Sequence, residues 1–129
     1  MGYDIHITRA ANWMDSEQQP ILESEWMDIV HADPTLEIDM LSYSDRRVAD
    51  GTIERLHPVV WLAHTDINSN HPCFWYESGR IFRKNPDTPT LKKMIEIAHK
   101  LSARVVGDEE EEYREIIGKI QVLHEEHGS

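Results

Sequence analysis

The chain reads as an α+β domain: a mainly antiparallel sheet of about five or six strands with one face covered by two or three helices. Three observations carry this reading. Tyr3, Ile5 and Ile7 alternate with Asp4, His6 and Thr8, the period of a half-buried strand. Residues 73–76 and 80–84 are β-prone and flank Glu77-Ser78-Gly79, which reads as a tight hairpin. Leu91, Met94, Ile95, Ala98 and Leu101 recur at helical spacing and make one apolar stripe, which needs a sheet to cover. At 129 residues, a single domain spanning 1–129 is the natural unit.

The remaining elements follow in order. Residues 9–20 (RAANWMDSEQQP) have no sustained period and read as a loop. Trp13 within it has two readings, a lid folded back on the core or an exposed aromatic for binding. Residues 23–31 read as a short helix with Trp26, Ile29 and Val30 on its apolar side. Leu22, at the cap position, has no side-chain acceptor, while Ile21 and Trp26 stand where a hydrophobic staple would form. Asp33-Pro34 ends the helix. Leu36, Ile38 and Met40 alternate with Glu37, Asp39 and Leu41 as a second strand. Residues 42–51 are polar and turn-like, 52–56 a short strand, 58–64 a stronger one, and 65–72 (TDINSNHP) a loop. Thr88 and Pro89 suit the cap and first residue of the striped helix. Residues 103–106 are a short strand closed by Gly107. Asp108 with Glu111 three residues later resembles a capping box, so a further helix is expected, with Tyr113, Ile116, Ile117 and Ile120 as its stripe. Gly118 would weaken that helix by about 1 kcal/mol relative to Ala. The tail 124–129 is expected to fray.

The net charge of −11 is unevenly distributed. Residues 1–50 carry 11 acidic and three basic side chains, residues 107–129 eight acidic and two basic, and residues 51–106 five acidic and eight basic. Nucleic-acid binding rests on Lys and Arg neutralising phosphates, so this balance argues against a nucleic-acid partner; it reads either as charge that keeps a small protein soluble or as an acidic face for a basic protein. No apolar run reaches the roughly 18 residues of a membrane span. No basic stretch followed by an apolar run opens the chain, so no secretion signal is expected. The single cysteine, Cys73, excludes an intramolecular disulfide. A cytoplasmic setting fits these features.

No glycine-rich phosphate loop, HExxH or paired CxxC is present, and no catalytic residue or cofactor is assigned. His64, His71 and Cys73 fall within ten positions and form a weaker alternative, a zinc-type site in which His6 would be a further ligand if the strands neighbour each other. The basic residues Arg80, Arg83, Lys84, Lys92 and Lys93 read as a solvated face, with an anion site at the striped helix as the lesser option. For partner binding, one patch is Trp13 with Asp15 and Glu17, because Trp is a common hot-spot residue. The second is Asp108, Glu109 and Glu112.

MGYDIHITRAANWMDSE at the start and KNPDTPTLKKMIEIAHKLSARVVGDEEEEY near the end resemble a group of small acidic bacterial proteins of unknown function. The Glu25-Trp26 pair belongs to the same pattern. The chain departs from it at Leu22, where a Ser or Thr cap is expected, and at Glu109-Glu110, where an acidic residue and a Gly are expected. In size and charge that group is similar to immunity proteins that neutralise bacterial toxins. The resemblance implies a non-enzymatic binding protein, with an immunity-type inhibitor of a basic toxin as its concrete form. A small enzyme or metal-dependent ligand binder using the His and Cys residues is the alternative.

Overall fold

The computed structural model describes residues 2–64, 71–116 and 118–123. Its elements run β1 (Asp4–Thr8), a 3₁₀ turn (Trp13–Asp15), α1 (Glu23–Ala32), β2 (Leu36–Ile38), β3 (Ser44–Arg47), β4 (Ile53–Leu56), β5 (Val59–Trp61), β6 (Cys73–Glu77), β7 (Arg80–Lys84), α2 (Thr88–Lys100), β8 (Arg104–Gly107), β9 (Glu112–Ile116) and β10 (Lys119–Leu123). The α+β class and the antiparallel pairing agree with the sequence. The main sheet is larger than expected: eight strands in the order β10-β9-β8-β1-β7-β6-β5-β2, with β3 and β4 forming a separate two-stranded ribbon.

β1 lies inside the sheet because its alternation serves two layers. Ile5 and Ile7 join a buried cluster with Trp26 and Val30 of α1, Met94, Ile97 and Ala98 of α2, and Phe74 and Ile81 from neighbouring strands. Both helices therefore cover this face. His6, directly opposite Phe82 on β7 and Val106 on β8, faces the other way. The hairpin joining β6 to β7 closes through Ser78 at φ 53° and Gly79 at φ 80°, the two left-handed residues a two-residue turn needs.

The stripe of α2 is buried as its spacing requires, but Asp87 rather than Thr88 is the cap, its carboxylate accepting from the Thr90 N–H at 3.0 Å. Leu22 does precede α1, and the missing cap is met from the other side: its N–H donates to Glu25 Oε1 at 3.0 Å. Ile21 and Trp26 are both buried in the core cluster.

Two further expectations, on the segment after Asp108 and on Lys93, are corrected. The helix expected after Asp108 is the β9–β10 hairpin, with Ile116 paired to Lys119 and Gly118 at φ 73° in the turn. Asp108 caps nothing; it accepts from the backbone N–H of Asp4 at 2.9 Å. Glu111 turns inward and is 7% exposed, taking the hydroxyls of Tyr3 and Tyr113. With both capping carboxylates engaged elsewhere, Glu112–Ile116 and Lys119–Leu123 pair as strands. Lys93 is the second correction. It is not on a solvated face but 8% exposed, its ammonium 2.6 Å from Asp33 and 2.7 Å from Glu96. Strand β3 falls within the segment read as turn-like, where its four residues, SDRR, carry no apolar alternation. Most of the loop expected over 65–72, and the tail 124–129, lie outside the described residues.

Candidate functional site

The face of the sheet away from the helices is polar at its centre. His6 is 1% exposed there. Its Nε2 lies 2.8 Å from Asp108 Oδ1, and its Nδ1 lies 3.1 Å from Arg80 Nε. Arg80 Nε is always a donor, so Nδ1 accepts and Nε2 carries the proton donated to Asp108. The imidazole is therefore neutral with both nitrogens engaged. Burial lowers its pKa from the ordinary 6.5; the Asp108 bond opposes this and the Arg80 charge reinforces it.

Trp13 is the roof. Its ring stacks on His6 at 4.2 Å between centroids and 5° between planes. Its Nε1–H donates to the Asp108 carbonyl at 3.2 Å. Trp13 folds back over a buried polar side chain, not over the apolar core, and stays partly exposed. Arg80 lies 5.3 Å from the Trp13 ring centre and 4.9 Å from that of Phe82, between two aromatic faces.

The loop that delivers Trp13 is pinned at both ends. Arg9 donates from Nε to the Leu101 carbonyl at 2.9 Å and grips Glu25 with both terminal nitrogens, at 2.8 and 2.7 Å. Arg104 donates to the carbonyls of Ala10 and Ala11, each at 2.9 Å. Asn12 Oδ1 accepts from the Met14 N–H and starts the 3₁₀ turn. Ser16 Oγ donates to the Trp13 carbonyl at 2.5 Å, which leaves the Thr8 hydroxyl as donor in the 2.7 Å bond between Thr8 and Ser16. At the far end the Ile21 N–H donates to the Gly79 carbonyl at 2.9 Å. A Cβ on Gly79 would meet the Ser16 carbonyl at 2.7 Å, so the hairpin turn and this loop pack backbone to backbone.

The two acidic patches read separately in the sequence meet here. Trp13 binds Asp108, Glu109 follows in the same turn and is exposed, and Asp15 and Glu17 are exposed on the Trp13 loop. Glu112 does not join them. It is held by Arg104 at 3.2 Å and by Arg114, with its side chain 15% exposed. Glu111, inside the same acidic run, fixes the turn. The Tyr3 hydroxyl, which donates to Glu111, accepts from the Glu109 N–H at 3.0 Å. Burial, then the Glu111 carboxylate, pushes Tyr3 up to about 12. Burial works to raise Glu111, but the two tyrosine hydroxyls outweigh it and hold its pKa below the ordinary value. His6, read from sequence as a further metal ligand, and Arg80, read as part of a solvated basic set, instead bond to each other here.

The His/Cys alternative is not assembled. His64 Nε2 lies 2.7 Å from Asp87 Oδ2, Cys73 Sγ lies 3.8 Å from Arg83 Nη1, and His71 is exposed. Among the described residues no three His, Cys, Asp or Glu side chains are gathered to hold a metal. Among those residues, no helix is long and apolar enough to cross a membrane. Comparison with protein-family models, with curated proteins and with solved structures found no match.

Proposed function

We propose that this chain is a non-enzymatic binding protein that meets a basic partner protein with the acidic face around Trp13, in the manner of an immunity-type inhibitor of a bacterial toxin. The observation that supports the reading is the Trp13–Asp108 bond, which brings the two acidic segments together at an aromatic side chain. Four carboxylates belong to that face: Asp15, Glu17, Asp108 and Glu109. Asp108 is oriented by the Asp4 N–H and by His6. Asp15, Glu17 and Glu109 are exposed, and an acidic face of this kind speeds encounter with a basic surface and selects against acidic competitors. The engaged nitrogens of His6 support a positioning role over a chemical one: the imidazole can accept a proton only by first releasing Arg80.

The test is capture from cells that produce the protein, at low salt, with bound proteins identified by mass spectrometry. The expected result is a basic protein that raised salt releases. The Asp15→Lys/Glu17→Lys double variant, altered only at exposed positions, is expected to lose that protein while keeping its thermal midpoint. Retention by the double variant would remove this face from the reading.

A further inference from the structure

Beside Trp13 lies a pocket of about 310 Å³, lined by Trp13, Met14, Ser16, Glu17, Ser78 and Arg80. Its polar groups are incompletely used. Arg80 spends Nε on His6 and one Nη1 hydrogen on the Glu77 carbonyl at 3.2 Å; Nη2 has no acceptor among the described residues. Its guanidinium makes no ion pair among those residues; the carboxylates of Glu77, Asp4, Asp108 and Glu17 act on it only at longer range, and the side chain is partly withdrawn from water. Ser78 Oγ accepts from Arg46 Nη1 at 3.0 Å, so its own O–H remains to donate. Glu17, on the same pocket, is exposed and makes no ion pair among the described residues. Two donors, one of them cationic, and one carboxylate thus share a pocket walled by an indole and a thioether.

We propose that this pocket binds a small amino-acid-like ligand, its carboxylate held by Arg80 Nη2 and the Ser78 hydroxyl and its cationic amino group by Glu17. A simple anion fits the charge pattern less well, because Glu17 would repel it. A simple cation would meet Arg80. A ligand bearing both charges answers each group, and its aliphatic part would lie against Trp13 and Met14. The volume sits at the lower end of the roughly 300–1,000 Å³ found for small-molecule sites. The proposal does not rest on the partner-protein reading; a free amino acid carries both charges, whereas a chain terminus carries only one of them.

The experiment is titration of the isotope-labelled protein with a panel of L-amino acids, with acetate and methylamine as single-charge controls, read at the Trp13 indole N–H. Trp13→Phe identifies that signal among the four tryptophans. The expected result is a saturable shift with at least one amino acid in the millimolar range or tighter, weaker by about tenfold in Ser78→Gly and in Glu17→Gln. Ser78→Gly keeps the turn because glycine suits its positive φ, and Glu17 is exposed, so both variants are expected to fold. The same affinity for N-acetylated, C-terminally free peptides as for free amino acids would contradict the role of Glu17. Saturation by acetate alone at equal strength, no saturable shift with any amino acid, or shifts unchanged in both variants would overturn the proposal.

Discussion

At the residue scale the protein is organised around His6, a neutral imidazole held between a carboxylate, a guanidinium and an indole. Its alternation within β1 places it on the polar face, and that much is legible from sequence. That this face is covered is not, because the groups that fix the cover come from far along the chain: Arg104 and Asp108 meet Ala10, Ala11 and Trp13 only once β8 pairs with β1. Trp13 covers His6 while its side chain stays partly exposed, so the two readings are not exclusive. The depressed pKa of His6 has a consequence. The unfolded chain takes up a proton near pH 6.5, while the folded protein resists it until lower pH. In that window the unfolded state binds more protons, so the His6 contribution to stability is present above pH 6.5 and is lost as pH falls below it. Denaturant midpoints are expected to drop between neutral pH and pH 5.5, and the drop is expected to shrink in His6→Gln. An imidazole signal of His6 titrating at or above 6.5 would contradict the assignment.

At the element scale, long periodic segments were legible and short polar ones were not. The α2 stripe and the β6–β7 hairpin follow from spacing and turn chemistry alone. The segment after Asp108 misleads because it satisfies two patterns at once. Asp108 and Glu111 match a capping box, and Tyr113, Ile116, Ile117 and Ile120 match a helical stripe. The same residues are also good strand formers. Long-range partners decide: Asp108 is taken by Asp4 and His6, Glu111 by Tyr3 and Tyr113, and Glu112 by Arg104 across the β8–β9 pair. Gly118 separates the alternatives by sign. In a helix, Gly118→Ala would stabilise by about 1 kcal/mol. At φ 73° in the hairpin turn it is expected to destabilise by about 1–2 kcal/mol in equilibrium denaturation, because a Cβ disfavours the left-handed conformation.

At the scale of the whole molecule, the acidic composition is only partly a solvated coat. Hydrogen bonds from Arg9, and then from the Leu22 N–H, hold Glu25 at about 2, far below its ordinary 4.5. Burial works to raise Asp33, but Lys93 and Thr35 overcome it and hold it at about 2 against an ordinary 3.8. Carboxylates depressed in this way stabilise the fold above their unfolded pKa values, and that stability is lost as pH falls from about 4.5 toward 2. Acid unfolding is expected to begin in this range and to shift to higher pH in Arg9→Met, which a pH-jump or circular-dichroism titration measures. Lys93 and Arg80 show why a charge map from sequence cannot separate solvated from structural ions. Both sit in polar-looking segments, and only the packed fold brings Asp33 to one and the Trp13 loop to the other.

The central claim is that Trp13, Asp15, Glu17, Asp108 and Glu109 form one binding face. Its most direct test is amide and indole chemical-shift mapping of the protein with the partner recovered by low-salt capture. The account predicts that signals of residues 13–17 and 108–109 shift together on one isotherm, while those of Glu112 and Arg114 stay in place. Shifts confined to one of the two segments, or centred instead on the exposed Met40, Leu41, Tyr43 and Ile53 around the β3–β4 ribbon, would contradict it.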